Sequence, residues 1–314
     1  MVVRRPGATS GGFVAVTVSV VIPTAGRPSL TRAISSVQCQ TRPVLEIIVV
    51  VDHDRTMSIP VDDRITLIRT GSAQGAAVSR QRGIDVARGD VIALLDDDDE
   101  WYPDKLARQL ATVEHTGDRN WVASSRVTVL GPASRRRTWP RRLIGPGESV
   151  TDYLFRVGRV GAGDVLLQTS TLCFPTELGR RFRWDGHVDA VHDEPSWLIT
   201  VQRGSPDVRW IHVPAVLGVY HVDGRSVSRS GQDRTDDYIR WGLCHLNGES
   251  PRILGDYLCT SPVSAAVSAM SLAGINRAIR ASLRHGRPGL PALTYAVLNG
   301  VRVGAVRLRA AIRR

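Results

Sequence analysis

Apolar residues gather in short unbroken runs over the first hundred residues, and each run stops at polar or charged positions. Val16–Ile22 reads as a first strand, Val44–Val51 as a second, Ile65–Ile68 as a third and Val91–Leu95 as a fourth. Runs this short, apolar on both faces, suit buried strands of a parallel sheet. Between them, Leu30–Gln38 and Ala76–Ala87 have helical spacing. Ser29 is placed to cap the first helix, and Val78, Ile84 and Ala87 face inward from the second. Pro103–Val113 is a further helix with its proline near the first turn, where a missing N–H costs little. This alternation predicts a doubly wound parallel sheet.

The pattern changes after residue 118. Val122–Leu130 and Val165–Phe174 read as strands, and Arg135–Arg137 and Arg141–Arg142 bracket Trp139-Pro140 in a basic loop. Asp193 and Glu194 open an amphipathic helix, Val208–Val213 is another strand, and Leu217–Arg229 reads as a polar loop. Near the C-terminus, Ile275, Ile279 and Leu283 share a helical face with Arg277, Arg280 and Arg284 beside it. Gly286–Pro291 interrupts the chain before a second amphipathic segment marked by Val297, Val301, Ala305, Leu308 and Ile312, with Arg302, Arg307, Arg309 and Arg313. Residues 1–14, rich in Gly, Ser and Arg, are expected to be disordered.

Charge adds to this picture. The net charge of +11 favours an anionic partner. Nucleic acid fits poorly, because no recognition motif is visible and aromatic residues, at 5 %, leave few stacking platforms. After Asp256 there is no acidic residue while nine arginines follow, so residues 271–314 suit an anionic membrane surface. Packing against the main domain with the arginines left in solvent is the alternative. Cys39, Cys173, Cys244 and Cys259 form no CxxC pair, which points away from zinc and disulfides and towards the cytoplasm. The apolar run 13–22 lacks a small-residue cleavage site after it, and no run reaches the ~18 residues of a membrane span.

Candidate chemistry lies where the strands end. The fourth strand runs into Asp96-Asp97-Asp98-Asp99. Four adjacent carboxylates repel one another unless a cation offsets them, and hard oxygen ligands suit Mg2+ or Mn2+. A solvated acidic turn capping the next helix is the plainer reading. Thr24 and Arg27 follow the first strand and Asp52 the second, so separate strand ends converge on one edge, where open α/β sheets bind ligands.

In order along the chain, these segments resemble glycosyltransferase family 2. Val18–Thr24 is similar to the family's opening strand and Ile47–Asp52 to its second strand ending in aspartate. Gly75–Gly89 is similar to its Gly-Ser-Arg-Asn helix, with Gln81 in place of asparagine. Leu94–Leu106 resembles the Asp-x-Asp region and His192–Trp197 the acidic acceptor-side motif, here Asp-Glu where relatives most often have Glu-Asp. The match covers about residues 16–230 and excludes the basic tail.

The resemblance implies a GT-A fold: one large α/β domain with a mostly parallel Rossmann-like sheet flanked by helices, plus a basic helical tail. It divides the chain into a nucleotide-sugar-binding half at 15–117, an acceptor half at 118–255 and the tail at 256–314. It implies an inverting transfer from a nucleotide-diphosphate sugar, usually a UDP-sugar, to a hydroxyl of a glycan or glycolipid. Asp52 would meet the base, Thr24 and Arg27 the nucleotide, and Arg80 the phosphates. Asp96 and Asp98 would bind Mn2+ or Mg2+ with His221, and Asp97 would reach the donor sugar or ribose. The register among Asp96–Asp99 stays open by one residue, as does Asp193 against Glu194 for the base. A cytoplasmic location is expected, and a glycan or glycolipid acceptor at the inner membrane face fits the basic tail. Neither a Gln-x-x-Arg-Trp motif nor a membrane span is visible, which argues against a processive synthase. Two other classes stay open. A sugar-nucleotide nucleotidyltransferase needs a Gly-rich basic loop after the first strand, where only Gly26 and Arg27 stand. A non-catalytic nucleotide-sugar-binding protein has no need of the intact carboxylates.

Overall fold

The computed structural model describes residues 16–71, 73–131, 135–161, 163–184, 191–222 and 232–312. The N-terminal residues expected to be disordered, residues 223–229 of the expected polar loop and Arg313 lie outside them.

Strands β1 (Val18–Thr24), β2 (Glu46–Val51), β3 (Ile65–Arg69) and β4 (Val91–Leu94) form a parallel array in the order β3-β2-β1-β4. β1, β2 and β4 are buried along their whole length. Neighbouring residues alternate between two cores: Val21, Ile48 and Ile92 belong to one, Val20, Ile47 and Ala93 to the other. This two-sided burial explains why the strands read as continuous apolar runs. Helices α1 (Leu30–Gln38) and α3 (Lys105–Thr116) cover one face through Ile34, Val37, Leu106 and Leu110. Helix α2 (Ala76–Val86) covers the other through Ala77 and Ile84.

The second half of the sheet is mixed. The short β5 (Glu100–Trp101) pairs antiparallel with β9 (Arg209–His221), which runs parallel to β6 (Trp121–Leu130). β7 (Arg136–Trp139) pairs antiparallel with β6, and β8 (Cys173–Pro175) joins β4 to β6 with antiparallel pairing on both sides. The strand order is β3-β2-β1-β4-β8-β6-β9-β5 with β7 beside β6.

Three expectations change here. Residues 136–139 of the basic loop are an edge strand, where exposed arginines suit a free edge. Arg137 and Arg141 also stack on Trp139, at 4.9 and 5.0 Å from its ring. The expected strand 165–174 shrinks to β8. Before it lies a 3-10 turn, Thr169–Thr171, in which Thr171 donates from both N and Oγ1 to the Gln168 carbonyl. Such local side-chain bonds compete with ladder pairing. Residues 217–221 of the expected polar loop belong to β9, which passes Pro214 at a register break opposite Ser125 and Arg126.

Helices α4 (Val150–Phe155) and α5 (Thr176–Arg181) pack on the sheet with α6 (Asp193–Gly204). Helices α7 (Thr235–His245), α8 (Pro251–Leu258), α9 (Ser261–Ser268), α10 (Leu272–His285) and α11 (Leu290–Ile312) form a bundle with two small cores of its own. α4 and α6 enter the first of these through Phe155 and Ile199. Residue 256 lies inside α8, and its buried Asp256 accepts from Val157 N at 2.9 Å and Gly289 N at 2.7 Å. Among the described residues, no helix is long and apolar enough to cross a membrane.

Candidate active site

The loops after β1, β2 and β4 meet at the C-terminal edge of the parallel strands. After β4 the chain turns, with Asp99 N donating to the Asp96 carbonyl at 3.2 Å. Burial then alternates. Asp97 and Asp99 are buried, while Asp96 and Asp98 keep about a quarter of their side chains in solvent, at 23 and 26 %.

The two buried carboxylates are tied into the fold. Asp97 accepts from Thr24 Oγ1 at 2.6 Å and Arg27 Nη1 at 2.8 Å. Asp99 accepts from Gln168 Nε2 at 2.7 Å, Ser170 Oγ at 2.6 Å and His221 N at 3.0 Å, and so joins β4 to the 3-10 turn and the end of β9. Burial pushes the Asp99 carboxyl pKa well up, and the charge of Asp96 adds to this. Burial also raises Asp98, with Arg27 opposing and Asp96 and Asp97 adding to the rise.

Two arginines face this cluster. Arg27 Nη1 also donates to Asp98 at 2.7 Å. Burial opposes its charge, yet Asp97 and Asp98 raise its pKa above the ordinary value. Arg80 projects from α2 and is buried under the Trp184 ring, 5.1 Å from the centroid. It donates from Nη2 to Asp96 at 2.8 Å, and Asp193 lies 3.7 Å from Nη1. Its Nε and Nη1 have no hydrogen-bond acceptor among the described residues.

Asp52 has a different setting. Its carboxylate accepts from Thr70 Oγ1 at 2.7 Å, Gln74 N at 2.8 Å and Gly75 N at 2.7 Å, which fixes the loop leading into α2. Gly26 lies beneath the ring of His53, and a Cβ there would come within 2.5 Å of His53 Nε2; its φ of +83° also requires glycine. The loops after β1 and β2 therefore press together where Thr24, Arg27 and Asp52 lie.

Glu194 and Asp193 sit in the first turn of α6 and point to different surroundings. Asp193 faces Arg80. Glu194 accepts from Thr169 N at 3.3 Å and lines a cavity of about 1100 Å³, of which Asp193 is not a lining residue. Burial pushes the Glu194 carboxyl pKa up. Arg80 opposes this, and Asp96 and Asp193 reinforce it. His221 Nε2 lies 3.0 Å from Glu100 Oε1, so its ring engages Glu100. Asp96, Asp98 and His221 are thus not gathered into one set: among the described residues no three His, Cys, Asp or Glu side chains converge as metal ligands. Mg2+ commonly takes only one or two carboxylates plus substrate phosphates, and the partly exposed hard oxygens of Asp96 and Asp98 fit that role.

Several site residues carried no signal in the sequence. Trp184 covers Arg80, and Gln168 and Ser170 hold Asp99. Tyr220 stands near Glu194, Asp99, Asp96 and Asp98, and burial followed by their charges pushes its phenol pKa up. Their neighbours come from remote segments, so no local spacing marks them.

The sheet order, the strand-end cluster and the acidic pair on α6 define a GT-A-type α/β fold with a site at the strand ends. The profile described as Glycosyl transferase family 2 matches residues 19–185, and the chain belongs to that family. It is similar to the amylovoran biosynthesis glycosyltransferase AmsB of Erwinia amylovora, 28 % identical over 193 residues that cover 60 % of either chain. It is also similar to the putative teichuronic acid biosynthesis glycosyltransferase TuaG of Bacillus subtilis, 37 % identical over 101 residues, 30 % of this chain and 40 % of that protein. The chain thus spans at most 60 % of the length of these two relatives. Among solved structures, S. aureus TarS 1–349 superposes with a TM-score of 0.56 at 13 % identity, covering 91 % of this chain and 88 % of that one. The complex of TarS 1–349 with UDP-GlcNAc gives 0.54 at 13 % identity. At this identity the likeness concerns the fold.

Proposed function

We propose that the protein transfers a sugar, with inversion, from a nucleotide-diphosphate donor to a hydroxyl of a glycan or glycolipid. The observation that carries this reading is the position of Glu194, which lines a large cavity on one side and lies near Arg80 and Asp96 on the other. An acceptor hydroxyl entering from the cavity would meet a carboxylate whose raised pKa suits proton removal. Asp193, turned towards Arg80, is the weaker candidate for the base. Arg80, buried and paired with Asp96 at 2.8 Å, fixes a positive charge beside the cluster where a departing diphosphate would develop negative charge. The geometry parallels inverting glycoside hydrolysis, where one carboxylate activates the nucleophile opposite the leaving group.

Thr24, Arg27, Asp52 and Asp97 are proposed to shape the nucleotide and sugar end of the site, Asp52 by fixing the loop before α2. The UDP-GlcNAc complex of TarS supports a UDP-sugar as the first donor to try. Asp96 and Asp98 would hold Mg2+ or Mn2+, which supplies charge neutralisation for the leaving diphosphate.

Glu194→Gln is expected to lower transfer about 10²- to 10⁴-fold while calorimetry shows unchanged UDP binding. Near-normal turnover would remove the base role from Glu194. Asp98→Asn is expected to weaken UDP binding in the presence of Mn2+ and leave binding without metal unchanged. Equal loss in both conditions, or no loss, would reject the proposed metal role.

Association with an anionic membrane is proposed to run through α11. Ala292, Ala296 and Val303 bury one face of this helix, while Val297, Leu298, Val301, Val306 and Leu308 are exposed beside Arg302, Arg307 and Arg309. α10 contributes less, because Ile275 is buried in the bundle core and Arg277 pairs with Asp233 and Asp236.

A further inference from the structure

The cavity beside Glu194 has a strongly basic wall. Arg141 and Arg142, between β7 and α4, and Arg156 and Arg159, just after α4, all line it. The acidic residues lining it are Asp164 and Glu194. Four cations and two carboxylates line the space itself, while Glu148 and Asp152 pair with Arg142 and Arg156 from outside the lining. Arg142 is held by both Glu148 oxygens and the Tyr153 carbonyl, whereas the other three arginines keep most of their side chains in solvent. Arg141 and Arg159 share Asp164, Arg142 pairs with Glu148, and among the described residues Arg156 pairs with Asp152 one helical turn away. The side chains of Arg141, Arg156 and Arg159 are 64, 61 and 65 % exposed. Exposed pairs of this kind contribute at most about 1 kcal/mol, so exchanging the acid for a ligand anion costs little. A guanidinium fork matches phosphate and carboxylate geometry and gains nothing comparable from a neutral sugar. His192 lines the same cavity, and its Nε2 is buried with no hydrogen-bond partner among the described residues.

We infer that the acceptor is anionic, carrying a phosphate or carboxylate group that Arg156 and Arg159 hold while the accepting hydroxyl reaches Glu194. The inference rests on the reading of Glu194 as the acceptor-side base. It adds that the reaction supplying the acceptor must leave a phosphate or a uronic acid on it.

The full chain, saturated with UDP and Mn2+ to occupy the donor side, is titrated calorimetrically with glucose 6-phosphate, glucuronate and glucose. The expected result is binding of an anionic probe at least about tenfold tighter than glucose. The double substitution Arg156→Gln, Arg159→Gln is expected to abolish that preference and to leave UDP binding intact. Both side chains lie at the surface, so the fold should survive; unchanged UDP binding is the control. Farnesyl phosphate separates the sources of the anion. If it displaces glucose 6-phosphate and glucuronate does not, the phosphate belongs to a lipid carrier; displacement by glucuronate assigns the anion to the glycan. Either result supports the inference. Equal or undetectable binding of the three sugars, or a preference that survives the double substitution, overturns it. Failure of UDP itself to bind would instead count against the proposed transferase function.

Discussion

Single side chains at this site differ in what surrounds them more than in what they are. Asp96 to Asp99 are chemically identical, yet the turn after β4 sends Asp97 and Asp99 inward and leaves Asp96 and Asp98 at the surface of the crevice. That the four aspartates lie at the crevice beyond a strand end was legible from their place after an apolar run. Which of them face the crevice was not, because the turn depends on Ser170, Gln168 and the end of β9. Nor does the sequence separate Asp193 from Glu194: both lie near Arg80, and Glu194 alone also lines the cavity. Histidines show how an enclosed setting becomes measurable. His212 packs edge-on against Tyr153 at 6.1 Å, and burial lowers its pKa from 6.5 to about 4. A histidine depressed in the folded state contributes stability above pH 6.5 and loses it as pH falls towards 4. The loss approaches roughly 3 kcal/mol for a shift of this size. His212→Phe removes this proton-linked loss. Urea unfolding at pH 7 and pH 4 should show a smaller decline for the variant than for the parent, and equal declines would refute the linkage.

At the scale of elements, the parallel half was readable because two-sided burial writes continuous apolar runs, and α1 spans the same residues as its hydrophobic period. β7 was not, since an edge strand of arginines has no apolar alternation to betray it. The 3-10 turn was misread as strand because Val165, Leu166 and Leu167 are apolar, although they line the cavity rather than a ladder. Close helix–sheet contact is sharpest at Gly83 in α2, where a Cβ would come within 2.4 Å of Val21 Cγ1 and 3.1 Å of Val50 Cγ2. Gly83→Ala would force α2 off the sheet at a cost of about 1–3 kcal/mol. Arg80 rides on that helix, so UDP binding should weaken together with the midpoint of thermal unfolding. A variant with unchanged midpoint would show that α2 yields without strain.

Across the whole molecule, positive charge is distributed unevenly. The net charge of +11 is concentrated by nine arginines after the last acidic residue, Asp256. α11 sets apolar and cationic residues side by side on its exposed face. Binding to vesicles containing phosphatidylglycerol is expected, with little to neutral phosphatidylcholine and a steep decline as salt rises. Leu298→Glu with Val301→Glu should abolish co-sedimentation without affecting UDP affinity. Equal binding to both vesicle types would eliminate the electrostatic part of this reading.

The cavity next to Glu194 is walled on its far side by Tyr238 of α7 and by Thr260, Ser261 and Ser264 at the start of α9, well beyond the matched family segment at 19–185. The wall of this cavity is therefore shared between the family segment, through residues 141–167, and the helical bundle. Grafting a different helical bundle onto the unaltered sheet would reshape only the part of this cavity lined by Tyr238 and residues 260–268. Truncating that bundle to obtain a smaller protein would open the cavity to solvent instead.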